Sequence, residues 1–173
     1  MKNKLAFIIL PLAISVAGAV QAEGRFKAKG TWQNSQGGVT SMRGGAAAGP
    51  NGGRFARGSA VYTDGSGNAA GTNGQAFAGP GGSSGAHAGG FTRTADGGMT
   101  RQGGAAVAGA NGGYGSTSST FSKDGSGNFS GARGTDVQGA QGAGYTGTTT
   151  YSNTGGVDHQ GTCTNKYGEQ VPC

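Results

Sequence analysis

The chain repeats itself at a fixed interval along almost its whole length, and few folds tolerate so strict a period. An aromatic stands at Trp32, Tyr62, Phe91, Phe121 and Tyr151, with spacings of 30, 29, 30 and 30, while Gly49, Gly79, Gly109 and Gly139 fall 30 apart each time. Two independent sets of landmarks thus keep one period, and residues 24–173 divide into five units: 24–53, 54–83, 84–113, 114–143 and 144–173. Each aromatic is followed by a turn cluster: Asn34-Ser35-Gln36-Gly37-Gly38, Asp64-Gly65-Ser66-Gly67-Asn68, Asp96-Gly97-Gly98, Asp124-Gly125-Ser126-Gly127-Asn128 and Asn153-Thr154-Gly155-Gly156. A second turn closes the unit at Gly49-Pro50-Asn51-Gly52-Gly53, Gly79-Pro80-Gly81-Gly82 and Gly109-Ala110-Asn111-Gly112-Gly113; its fourth copy, Gly139 to Gly144, is looser. Gly supplies positive φ without steric cost and Asp or Asn closes a turn through its side chain, so each cluster is expected to reverse the chain.

The segments between turns alternate in a two-residue rhythm rather than a helical one, which predicts strands. Thr146, Thr148, Thr150 and Ser152 fall on one side of a strand and Tyr145, Gly147, Thr149 and Tyr151 on the other; Ser116, Ser118, Thr120 and Ser122 repeat the pattern. Helix is disfavoured, because each interior glycine costs about 1 kcal/mol relative to alanine. Five units of two strands give an all-β fold of ten strands, either an up-and-down antiparallel sheet or the coils of a β-solenoid. The period favours a five-repeat solenoid or stacked strand-turn-strand array, in which each unit lays its aromatic and turn glycines on the next at about 4.8 Å. The rival expectation is a glycine-rich chain that stays disordered alone.

Composition narrows the function. Lys2 and Lys4 precede an apolar run from Leu5 to Val20 that ends at Val20-Gln21-Ala22, so residues 1–22 read as a cleaved signal peptide and 23–173 as a single glycine-rich repeat domain. Every leucine and isoleucine lies inside the discarded segment, and 41 of the 173 residues are glycine. A thick core cannot be built from what remains, which argues against an enzyme. Literal matches to catalytic patterns, Gly81-Gly82-Ser83-Ser84-Gly85 for a serine elbow and Gly142 to Gly147 for a dinucleotide loop, lack the strand-to-helix context that their chemistry needs. The Asp-Gly-Ser-Gly-Asn turns lack the clustered carboxylates of a calcium cage. No cofactor and no metal site is expected.

Cys163 and Cys173 are the two cysteines, and in an exported chain they are expected to pair and to cap the end of the last unit. The net charge is +6, with Arg25, Lys27 and Lys29 alternating along the first strand and Arg54 and Arg57 in the next unit. These five form a candidate patch for anionic polysaccharide, lipopolysaccharide or extracellular DNA. The remaining cations look scattered along the sequence, no platform of aromatics and cations for bases is evident, and a solvated strand face that discourages edge pairing is the preferred account.

A signal peptide followed by five strand-turn-strand repeats rich in Gly, Ser, Asn and Gln resembles the curlin-type subunits of bacterial functional amyloid. Curlin repeats carry Gln and Asn in fixed ladders, whereas Gln36, Gln75, Gln102, Gln138 and Gln160 hold no common register, the repeat is longer, and the cysteine pair departs from the pattern. The resemblance implies passage through an export machinery and self-assembly, without stable membrane insertion, into fibres of the cell surface or extracellular matrix of the adhesion or biofilm kind, the periplasm being the alternative location. The competing expectation is a secreted monomer that binds ice or glycans through the Thr and Ser strand faces.

Overall fold

The computed structural model describes residues 24–173; the signal-peptide reading at 1–22 lies outside the described residues. Eleven strands follow in chain order: β1 (Gly24–Gln33), β2 (Val39–Ala48), β3 (Arg54–Thr63), β4 (Ala69–Ala78), β5 (Ser84–Arg93), β6 (Met99–Ala108), β7 (Tyr114–Lys123), β8 (Phe129–Gln138), β9 (Gly144–Ser152), β10 (Gly156–Thr164) and β11 (Gln170–Val171). They form one sheet in the order β1 to β11, each strand antiparallel to the next. The fold is all-β, but it is an up-and-down meander and not the stack of coils that the period favoured.

Turn length is the physical reason. The Gly49 N–H donates to the Gly53 carbonyl (2.8 Å) and the Gly52 N–H to the Gly49 carbonyl (3.1 Å), which leaves a three-residue loop. The same two bonds close the turns opened by Gly79, Gly109 and Gly139, so the sequence at Gly139 to Ala143 is no looser than its counterparts. A loop this short returns the chain only antiparallel, since parallel neighbours need a crossover of about a dozen residues or more. Positive φ recurs at Gly37, Gly52, Gly67, Gly82, Gly97, Gly112, Gly127 and Gly142, a constant interval half as long as the period of the aromatics. The full period is thus two strand-and-turn passes that differ in turn chemistry.

At the other end of the sheet similar backbone bonds close the turns, such as the Asn34 N–H to the Gly38 carbonyl (2.9 Å), and side chains reinforce them. Asn34 Oδ1 accepts from the N–H groups of Gln36 (3.1 Å) and Gly38 (2.9 Å), and Asp64 Oδ1 accepts from Ser66 (2.8 Å) and Asn68 (3.1 Å). Neighbouring turns are tied together there: Asn34 Nδ2 donates to the Thr63 carbonyl (2.7 Å), and the Ala95 N–H donates to Asn68 Oδ1 (2.9 Å).

Among the described residues no hydrophobic side chain is buried. A coil stack would enclose its aromatics between two sheets; here they lie on the surface of one. Several lean across glycines. A Cβ on Gly71 would collide with the Phe91 ring and one on Gly131 with the Tyr151 ring, and both are direct cross-strand partners. The ring covers backbone that glycine leaves bare, which offsets the weakness of glycine in a strand.

Candidate functional site

Successive residues of a strand point to opposite faces, so the register sorts the side chains into two surfaces. One face carries Arg25, Lys27, Lys29, Arg43, Arg57, Arg93, Arg101, Lys123 and Arg133, nine cations, whereas Arg54 projects from the other. The carboxylates on the described strands, Asp136 and Asp158, share the face of Arg54. Four of the five patch residues expected from the sequence therefore meet on one surface, Arg54 does not, and five cations that look scattered along the chain join them. Lys29 and Arg43 are direct register partners, a like-charge pairing that costs a sheet stability.

The five periodic aromatics do not form one stack. Phe91, Phe121 and Tyr151 occupy a single row of the basic face, with Arg101 and Gly131 on the strands between them and Gly71 next to Phe91 on β4. Trp32 and Tyr62 occupy the adjacent row and so the opposite face. The single spacing of 29, from Tyr62 to Phe91, is the cause, because a one-residue slip turns a side chain to the other side of the sheet. The Phe121 and Tyr151 ring centroids lie 6.5 Å apart with planes at 21°, and Phe129 stacks on Phe121 at 6.4 Å and 27°. Arg93, Arg101, Lys123 and Arg133 stand on the same face around these rings, an aromatic and basic platform that linear spacing hid.

The second face is flat over much of its area. One of its rows reads Ala46, Ala56, Ala76, Ala86, Ala106 across β2 to β6, and the next reads Gly44, Gly58, Gly74, Ala88, Gly104. A ladder of hydroxyls, Thr92, Thr100, Ser122, Ser130 and Ser152, crosses β5 to β9, with Thr92 and Thr100 hydrogen-bonded at 2.6 Å. Ser116, Ser118 and Thr120 share three rows with Thr146, Thr148 and Thr150, separated by Asp136, Gly134 and Ala132 of β8. Thr100, Gln102, Ser122, Ser130 and Thr150 line a shallow depression.

The two edges differ. Among the described residues, no strand pairs with the outer side of β1 along its ten residues. Among the described residues, the outer side of β10 is covered only where Cys163 meets Val171 and Thr164 meets Gln170. Cys163 and Cys173 are disulfide-bonded, with Cα atoms 5.3 Å apart, which pins this two-residue cap and leaves Gly156 to Thr162 open. Gly49, Gly79, Gly109 and Gly139 open their turns with ordinary φ; the positions that need glycine are three residues further on. The Asn68 side-chain amide and the Ser66 N–H hold the Asp64 carboxyl below its usual range. The Asn128 amide does the same for Asp124, and the Thr94 hydroxyl and Gly98 N–H for Asp96. These carboxylates serve the turns.

Fold and surface together define a single-layer antiparallel β-sheet with one basic, aromatic face, one small-residue face and two incompletely covered edges. Comparison of the chain with protein-family models, with curated proteins and with solved structures finds no match.

Proposed function

We propose that the protein is an exported structural subunit that associates with its own copies into fibres of the cell surface or extracellular matrix. The observation that carries this reading is a sheet one layer thick in which, among the described residues, no hydrophobic side chain is buried and a ten-residue edge strand has no partner on its outer side. Sheets become stable by covering a face against another layer, and an unpaired edge is a template for a further strand. Charge selects the geometry. Two β1 edges would set Arg25, Lys27 and Lys29 of one copy against the same three of another, whereas the open part of β10, from Gly156 to Thr162, carries no Lys or Arg. Pairing therefore runs head to tail, β1 onto β10, which does not close on itself and gives a filament. The nine cations likewise keep basic faces apart, so layers meet through the alanine and glycine rows. The resemblance to curlin-type subunits points the same way.

Thioflavin fluorescence with and without preformed seeds, followed by fibre diffraction, tests this. Seeds should abolish the lag, and fibres should give a reflection near 4.8 Å together with an intersheet spacing shorter than the usual ~10 Å. A persistently monomeric, seed-insensitive protein would reject the fibre reading. It would favour a second one, a monomeric binding module using the shared rows of Ser116, Ser118, Thr120, Thr146, Thr148 and Thr150, which ice-recrystallisation and glycan-array assays would then examine.

A further inference from the structure

We propose that the basic face binds single-stranded nucleic acid, with bases stacked on Phe91, Phe121 and Tyr151 and phosphates held by the surrounding guanidinium and ammonium groups. This goes beyond self-association and stands without it. Three observations lead to it. First, the charge on this face is one-sided: nine cations and no carboxylate among the described strand residues, with Lys29 directly opposite Arg43. A sheet that merely needed a solvated face would interleave both signs; this one keeps a repulsive pair, which an anionic chain relieves.

Second, rings and a cation share one row. Arg101 lies between Phe91 and Phe121 on the intervening strand, and Arg133 stands on the same face one row away, where its Nε donates to Thr117 Oγ1 at 3.4 Å. Single-strand binders combine a positive track for the backbone with aromatic faces for the bases. Third, the rings make an apolar stacking surface. Phe121 stacks on both Tyr151 and Phe129, with centroids 6.5 and 6.4 Å apart and planes within 27° of parallel, the ordinary contact distance of aromatic pairs. A base offers such a surface a π-face and a saturated sugar ring offers none, which favours nucleic acid over an anionic polysaccharide. A duplex hides its bases and would meet only the cations, so the single strand is preferred.

Equilibrium binding, measured by fluorescence anisotropy at protein concentrations below those that give association, should separate stacking from charge. The probes are a labelled 20-mer of deoxythymidine, an abasic 20-mer of equal charge, and heparin. The thymidine strand is expected to bind the unaltered protein at least about tenfold tighter than the abasic strand. Phe121→Ala and Tyr151→Ala should each remove about tenfold from the first and leave the second unchanged. Arg101→Gln combined with Arg133→Gln should weaken both and reduce the salt slope by about 1.4. Equal affinity for thymidine and abasic strands, tighter binding of heparin, or no binding at all would overturn the proposal. The comparison of probes on the unaltered protein decides the matter even if an aromatic variant fails to fold.

Discussion

Valine in place of Gly112 lowers the stability of the oxidised protein by about 2–3 kcal/mol, while the same change at Gly109 costs well under about 1 kcal/mol. The two glycines belong to one turn between β6 and β7, and their environments isolate the backbone term. Gly112 has φ of 91° and nothing within 4 Å of an added Cβ, so the penalty there is that of forcing a β-branched residue into the left-handed region. Gly109 has ordinary φ, and its Cβ would come no closer than 3.4 Å, to the Gly113 carbonyl. Asparagine at 112 should recover more than half of the loss, since its side chain tolerates this conformation. Denaturant unfolding of the three variants measures the differences, and equal losses at 109 and 112 would contradict the three-residue hairpin.

Removing the Cys163–Cys173 bond is the other large change. On the chain-entropy model, closing a loop of this length contributes a little under ~3 kcal/mol. The sheet localises that contribution. Only two register pairs hold β11 against β10, too few for a strand to persist alone, so the cap is expected to detach when both cysteines are replaced by serine. Amide exchange at Gln170 and Val171 should then rise to that of an unpaired chain. The whole outer edge of β10 becomes available to a second copy, and seeded growth should accelerate severalfold. Unchanged exchange at these residues would show that the cap holds without the bond; slower growth would show that the β10 edge is not where copies join.

The strands and turns were legible in the sequence because glycine at positive φ and the Asn and Asp closures leave local signatures, and these place the strand ends. The direction of pairing was concealed by the period itself. A coil that spans the whole period and a meander whose pass is half as long, with two alternating turn types, repeat at the same interval, and only the loop length separates them. That signal was present: Gly37, Gly52, Gly67, Gly82, Gly97, Gly112, Gly127 and Gly142 recur at half the period. The division into faces was harder. Tyr62 and Phe91 look equivalent along the chain, yet a spacing of 29 places them on opposite sides. The basic face was invisible for a related reason: Arg43, Arg93, Arg101, Lys123 and Arg133 are far apart in sequence, and only an exact antiparallel register brings them to one surface.

Distance between spin labels at Ser59 and Thr149 discriminates most directly. Both residues lie in one row, on β3 and β9, and the native cysteines are protected by their disulfide. With labelled protein diluted in unlabelled, the meander requires six strand spacings between them, about 29 Å. A coil stack places the same residues three units apart, about 14 Å, and a maximum there would refute the single-layer sheet.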